Sequence, residues 1–451
     1  MTSPKSILVI GGNAAGPAAA AKAKRTAPDA NVILFEASDY ISTGTCELPY
    51  ALSGIVKNPN DLLFYSPGSF EQEKRVKVFV NHFVEKIDRI KKTVSVRNQK
   101  TNELLEFDYN KLILTTGSKA KRIPQLYSKL ENVFTLKNFN NLLSIQNYLN
   151  INAVKNILVI GSGYIGLEAA ESFRKLNYEI TIIEKENLPM PGVDEEIQYL
   201  IKDLLIKNGI NFLGGIKQLK FGFEGDKVKF INIEGRHIEF DLILLATGFE
   251  PNNDLAISSK LKVGKYGGLT VNQKLQTSDP NIFAAGDNIE IINKITGQPD
   301  YFPLATYAHS FGHIAGENAA GGIATARPVV KNAAVKVFDK FLVSVGLNQN
   351  EAAEHKFNFK TVNAIAPNLV KVMPDSENVF GKIIFDKSNK QILGASFFGG
   401  EEVSGYGDLI SSLIHNRIKG MELANINFNY TPPLSPFVNL LSILGRKIEK
   451  E

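Results

Sequence analysis

The sequence predicts an α/β protein: two copies of a strand, glycine-turn, helix unit, followed by a C-terminal α+β domain. Three observations carry this. The apolar runs 7–10 and 157–160 each lead into a glycine turn and a segment of helical composition. The next strand of each copy, 32–35 or 180–183, ends in an acid, Glu36 or Glu184. After Pro328 the pattern changes to alternating strands, among them 334–338 and 381–385, with a helix at 405–415.

In the first copy Gly11, Gly12 and Gly16 surround Asn13, Ala14 and Ala15, and an Ala-rich helix is expected over 14–24. In the second, Gly161, Gly163 and Gly166 fill all three glycine positions, whereas Asn13 stands at the middle position of the first and predicts a looser or differently shaped backbone approach there. Glycine permits the sharp turn and lets backbone N–H groups reach a pyrophosphate at the helix N-terminus; an acid about 20 residues on accepts a ribose hydroxyl. One such pattern is weak, but two in strand, turn, helix context predict two Rossmann-like dinucleotide-binding domains. The strands 112–116 and 241–247 run into Thr116-Gly117-Ser118 and Gly248, which read as crossings between the two units. The buried run 282–285 precedes Asp287, an acid placed at a strand end where cofactor crevices open. The expected division is 1–118 and 247–327 for the first nucleotide domain, 119–246 for the second, and 328–451 for the C-terminal domain.

Length and composition agree with several domains. At 451 residues, 44% hydrophobic and 22% charged, the chain is ordinary globular material. The net charge of +5 comes from scattered residues without a basic run, which argues against nucleic-acid and membrane-surface partners. One cysteine, Cys46, excludes an intramolecular disulfide and a multi-cysteine metal site, and fits a reducing compartment. The first apolar strand follows Met1 closely, leaving no room for a signal peptide, and no apolar run is long enough to span a bilayer, so a cytoplasmic location is expected.

Cys46 lies in a turn, Ser42-Thr43-Gly44-Thr45, just before Glu47-Leu48-Pro49-Tyr50. A lone cysteine commonly packs as a small hydrophobe. Between two nucleotide units, in a turn, a redox role is the better reading. Only thiolate is a competent nucleophile, so its pKa must fall below the free value of about 8.5. With no second cysteine it must cycle through a mixed disulfide, a persulfide or a sulfenic acid.

With these segments, together with Ala285-Gly286-Asp287 and Tyr430-Thr431-Pro432-Pro433, the chain resembles the pyridine nucleotide-disulfide oxidoreductases over essentially its whole length. It is most similar to their single-cysteine branch of coenzyme A-disulfide reductases, NADH oxidases and NADH peroxidases. The resemblance implies FAD on Gly11, Gly12, Ala15, Gly16, Glu36, Thr116 and Gly117, with Asp287 on the ribityl chain. It implies a pyridine nucleotide on Gly161, Gly163, Gly166, Glu184 and Gly248. Glu184 favours NADH, since a carboxylate repels a 2′-phosphate, and neighbouring Lys185 keeps NADPH as the alternative. Tyr164 would cover the flavin until nicotinamide displaces it, a packed core tyrosine being the alternative, and Glu168, facing the same way by i, i+4 spacing, would help to seat the nicotinamide. The third domain implies a homodimer.

Around the sulfur, the resemblance implies that Ser42 and Tyr430 serve catalysis, Tyr430 from the partner subunit, the packing of an interface by a tyrosine beside two prolines being the other account. Lys22, Lys24 and Arg25 match the place where related reductases hold the adenosine phosphate of coenzyme A, a solvated helix face being the other account. Three departures limit the analogy. Ala366 stands before Pro367 where relatives have a tyrosine, Glu47 replaces a glycine, and no histidine lies in the first glycine turn. His309 and His313 are given no role. The expected activity is FAD-dependent NAD(P)H reduction of a small-molecule disulfide or persulfide, with a coenzyme A derivative as leading substrate. The rivals are an NADH oxidase or peroxidase working through sulfenic acid, and a flavoprotein electron donor or redox sensor for a protein partner.

Overall fold

The computed structural model describes residues 5–126, 130–233 and 235–451 of the chain. Runs of Ile, Leu and Val without polar alternation suit strands buried on both faces. The two glycine-leading strands, Ser6–Ile10 and Asn156–Ile160, accordingly each lie at the middle of a five-stranded parallel sheet. Ile7, Leu8 and Val9 are completely buried, each such side chain contributing about 1.5–3 kcal/mol. Apolar burial, more than local propensity, therefore fixes these strands.

The first sheet runs, edge to edge, Ile282–Ala284, Lys111–Leu114, Ser6–Ile10, Asn31–Phe35, Lys77–Phe79. The second runs Val133–Thr135, Leu242–Leu245, Asn156–Ile160, Glu179–Ile183, Asn211–Leu213. In register, Ile7 pairs with Val32 and Ile157 with Ile180, so the two copies share one plan. Each also carries a three-stranded antiparallel meander, beginning at His82–Asp88 in one and Lys220–Glu224 in the other. The chain leaves the first sheet after Lys111–Leu114, builds the second, and returns to add Ile282–Ala284. The outgoing strand Ser118–Ala120 pairs antiparallel with the returning Phe249–Pro251, and this ribbon joins the two units.

The C-terminal part is a five-stranded antiparallel sheet, ordered Asn332–Val337, Lys340–Gly346, Ile392–Gly399, Asn378–Asp386, Phe359–Pro367. The helices Val403–His415 and Leu440–Lys450 contribute Ile410, Ile414, Leu444 and Ile448 to a core with Val343, Ile383 and Phe397. One charged side chain of this sheet is buried: Lys382, 2% exposed. It donates to both carboxylate oxygens of Glu196 at 3.0 and 2.8 Å and to Gln349 at 2.9 Å, and lies 3.5 Å from Asp194. Asp194 in turn accepts from Ser396 at 3.0 Å, so an ionic cluster ties the second nucleotide unit to the C-terminal sheet. Among the described residues, no helix is long and apolar enough to cross a membrane, and no cluster of His, Cys, Asp or Glu is placed to hold a metal.

Candidate functional site

Each glycine turn is shaped by close approach. A Cβ on Gly16 would sit 1.7 Å from the carbonyl oxygen of Gly11, and one on Gly166 2.1 Å from that of Gly161, so only glycine lets helix and turn pack this tightly. Gly163 differs: nothing lies within 4 Å of its missing Cβ, which leaves its backbone open to a ligand. The helices that follow, Ala15–Thr26 and Tyr164–Lys175, have neither a capping side chain nor an acid in their first turns. By contrast Phe139–Ile151 and Gln349–Glu354 begin with full capping boxes. Uncapped N–H groups at two glycine turns fit two bound pyrophosphates.

The strand-end acids are held alike. Glu36 accepts from the N–H groups of Gly12 and Ser38, both at 2.7 Å. Glu184 accepts from the N–H and hydroxyl of Ser162 at 2.8 and 2.7 Å and from the N–H of Lys185 at 2.7 Å. Gly161, Gly163, Glu184, Lys185 and Gly248 line a cavity of about 750 Å³, within the size range of cofactor pockets. In the first unit, Thr116 and Gly117 sit at the crossing, where the Thr116 hydroxyl donates to the carbonyl of Asn252 at 2.7 Å. Asp287 accepts from Ser118 Oγ at 2.8 Å and lies 3.4 Å from Lys137 Nζ. Near it lies the buried hydroxyl of Tyr301, whose pKa burial raises.

The cysteine loop bridges both units. The strand Ile41–Thr43 pairs with Leu63–Tyr65, and Ser42, in the left-handed region at φ 49°, donates its N–H to the Gly12 carbonyl at 2.8 Å. Asn13 accepts from the N–H and hydroxyl of Thr43 at 3.1 and 3.3 Å, so its side chain anchors the cysteine loop. After Cys46 the short helix Leu48–Leu52 packs Leu48, Ala51 and Leu52 against Phe139, Ile145 and Ala169 of the second unit. Ser172 donates to the Pro49 carbonyl at 2.7 Å, and Tyr50 donates to Glu168 at 3.3 Å. The one thiol of the chain thus lies at the join of two nucleotide folds.

The chain is similar to known proteins over nearly its whole length. The family model described as pyridine nucleotide-disulphide oxidoreductase matches residues 5–311, and that of the family's dimerisation domain matches residues 332–440. The chain belongs to this family. It is 31% identical over 442 residues to a coenzyme A disulfide reductase of Staphylococcus aureus, covering 98% of this chain and 99% of the relative. To an NADH oxidase of Methanocaldococcus jannaschii it is 29% identical over 446 residues, with 98% of each covered. A solved NAD-dependent persulfide reductase from A. fulgidus superposes with a TM-score of 0.93 at 30% identity, covering 99% of this chain and 83% of that one. As a member of this family the chain is an FAD- and NAD(P)H-dependent oxidoreductase, and the glycine turns, uncapped helices and strand-end acids fit both cofactors.

Around the sulfur the electrostatics oppose thiolate formation. Cys46 is exposed, yet enough protein surrounds it that burial raises its pKa, followed by the carboxylates of Glu47 and Glu168; Lys137 lowers it, and Asp287 adds a smaller upward push. The Glu47 carboxylate folds back to within 2.7 Å of where a Cβ of Gly44 would sit, so the glycine makes room for it. Glu168 is pushed up to about 7, chiefly by burial, with the Tyr50 hydrogen bond opposing and Glu171 adding to the shift. Tyr164 packs at the edge of the second unit's core, its hydroxyl pushed up to about 12 by burial; Glu168, on the same helix, meets the cysteine helix through Tyr50.

The remaining expected groups lie apart from this centre within one chain. Tyr430 is exposed on the C-terminal domain, its ring edge-on to Phe437 at 5.4 Å. Lys22 is ion-paired with Glu317 at 2.8 Å, Lys24 donates to the Ala30 carbonyl, and Arg25 meets His313 at 3.4 Å. Part of that basic group is thus already partnered. Sequence reasoning missed Asn13 as an anchor, Tyr50 as the link to Glu168, and Lys137 altogether. Lys137 carries no motif signal, because it reaches the site only through the chain crossing.

Proposed function

We propose that the protein reduces a small disulfide or persulfide of the coenzyme A class at Cys46, with electrons from NAD(P)H. The overall change for a disulfide is NAD(P)H + H⁺ + RSSR → NAD(P)⁺ + 2 RSH. The observation that carries this is the placement of the only cysteine, its loop tied by Asn13 to the first glycine turn and by Tyr50 and Ser172 to the helix of the second. Bound flavin would supply the two-electron relay between nicotinamide and sulfur.

The chain's own residues would divide the work. Glu36 and Asp287, with the turn at Gly11, Gly12, Ala15 and Gly16 and the crossing at Thr116 and Gly117, would hold FAD. Glu184, Gly161, Gly163, Gly166 and Gly248 would hold the pyridine nucleotide, with Tyr164 and Glu168 facing its reactive end. Cys46 would attack the substrate sulfur, releasing one thiol and forming a mixed disulfide that is then reduced. Ser42 would orient the loop, and Tyr430 of a second copy would protonate the departing thiolate in a homodimer. Lys22 and Arg25 would meet the substrate's phosphates. The reaction suits the reducing cytoplasm.

The relatives named a coenzyme A disulfide reductase and a persulfide reductase support this reading. The relative named an NADH oxidase supports a second one, in which the same sulfur cycles through sulfenic acid. The test is Cys46→Ser assayed with NADH or NADPH against coenzyme A disulfide, recording thiol release beside oxygen consumption. Thiol release should vanish while reduction of the flavin by NADH persists. Undiminished thiol release from the variant defeats the proposal, and oxygen consumption without thiol release in the unmodified enzyme selects the oxidase reading.

A further inference from the structure

Two histidines and two cations meet where the helices Ala15–Thr26 and Ala305–Ala319 pack. Gly312 and Gly316, one turn apart on the second helix, let the pair approach closely: a Cβ on Gly312 would sit 2.4 Å from the Ala15 carbonyl oxygen, and one on Gly316 2.1 Å from that of Ala19. This packing carries His313, the residue after Gly312, against Arg25, whose guanidinium Nη2 lies 3.4 Å from His313 Nδ1. His309, one turn back, stands edge-on to His313 with ring centroids 4.6 Å apart. Lys22, one turn before Arg25, is ion-paired with Glu317 at 2.8 Å.

The arginine contact fixes a protonation state. A guanidinium has N–H donors and no acceptor, so His313 Nδ1 accepts from it only while unprotonated, with the ring proton on Nε2. A second proton sets two donors face to face, frees Arg25 from its partner and adds a positive charge beside it. The charged and titratable groups around His313 are Arg25 and Lys22 on the first helix and His309 and Glu317 on its own; Glu317 is the one acid among them, and Lys22 already holds it. Burial, and after it the charges of His309, Arg25 and Lys22, keep His313 below its ordinary value of 6.5. A bound anion acts in the opposite sense and raises it. Anion binding therefore takes up a proton, and affinity rises as pH falls through the window between the two values.

We propose that His313 is a proton-controlled positioning residue for a phosphate subsite: neutral, it holds Arg25 to itself, and protonated, it releases that guanidinium to a phosphate of the substrate and adds its own charge. This rests on the reading of Lys22 and Arg25 as the groups that meet the phosphates of a coenzyme A-class substrate, and it gives their subsite a pH dependence. A disulfide without phosphates bypasses the control.

The experiment is calorimetric binding of adenosine 3′,5′-bisphosphate, a fragment of coenzyme A that carries phosphates and no sulfur, to the FAD-loaded enzyme saturated with NAD⁺. It covers about pH 5.5 to 8 for the unmodified chain, His313→Gln and His313→Lys. The phosphates themselves titrate near pH 6, a contribution that cancels when variants are compared at one pH. The affinity of the unmodified chain relative to His313→Gln should be close to unity at the alkaline end and rise about tenfold at the acid end, the equivalent of a one-unit pKa shift. His313→Lys, charged throughout, should bind about tenfold tighter than the unmodified chain at the alkaline end and match it at the acid end. A relative affinity that does not change with pH overturns the proposal, as does a lysine variant no tighter than the unmodified chain at the alkaline end, or an unmodified chain that binds the bisphosphate at no pH. Either variant decides the question if the other loses its flavin. Nothing turns over in this measurement, so failure to release thiol from coenzyme A disulfide would defeat the proposed activity and leave the binding result intact.

Discussion

Glu168 offers a sign-definite test of how the two nucleotide units meet. Its carboxyl is pushed from 4.5 to about 7, first by burial, with the Tyr50 hydrogen bond opposing and Glu171 reinforcing. At about 1.4 kcal/mol per pH unit that difference is about 3 kcal/mol, an upper bound because the carboxyl keeps some contact with solvent. The folded-state value lies above the unfolded one, so the folded protein holds the proton more tightly. This contribution is complete below about 4.5 and is lost as pH rises through about 7. Glu168→Gln cannot ionise and keeps an acceptor for Tyr50. The variant should match the unmodified holoenzyme near pH 4.5 and become progressively more stable than it up to pH 7, levelling off above, by at most about 3 kcal/mol. Chemical denaturation at several pH values measures the gap. A gap that is constant with pH, or that closes as pH rises, refutes the burial argument.

Two further outcomes follow from packing. Lys382→Met leaves Asp194 and Glu196 without their buried cation and should cost about 3–5 kcal/mol, read as a lowered denaturation midpoint of the holoenzyme. If stability is unchanged, the cluster does not bind the C-terminal sheet to the second unit as described. Gly163→Val projects into open space and should leave the denaturation midpoint unchanged while weakening NADH binding by tenfold or more. Gly166→Ala, whose Cβ would sit 2.1 Å from the Gly161 carbonyl oxygen, should instead lower the midpoint itself. Equal losses of stability in both variants would contradict the assignment of Gly163 to the ligand face.

The apolar runs ending at Gly11 and Gly161, the strand-end acids Glu36 and Glu184, and the switch to alternating strands after Pro328 were all readable in the chain. They are local: strand burial, turn geometry and the acid's position all act over short stretches. The location of Cys46 in a turn between the two units was equally legible, and so was the opposing charge of Glu47. What the sequence did not show is that the Asn13 side chain holds the cysteine loop, a contact that spans two turns of the chain.

Tertiary structure alone decided the electrostatic balance at the sulfur. Glu168, Asp287 and Lys137 are far apart in sequence and converge because the chain leaves the first sheet, builds the second and returns through the Phe249–Pro251 strand. Coulomb interactions depend on distance in space and on how much solvent lies between, and neither can be read from sequence separation. The sequence therefore settled which family chemistry the chain carries, and the crossing of its two halves settled which charges surround Cys46.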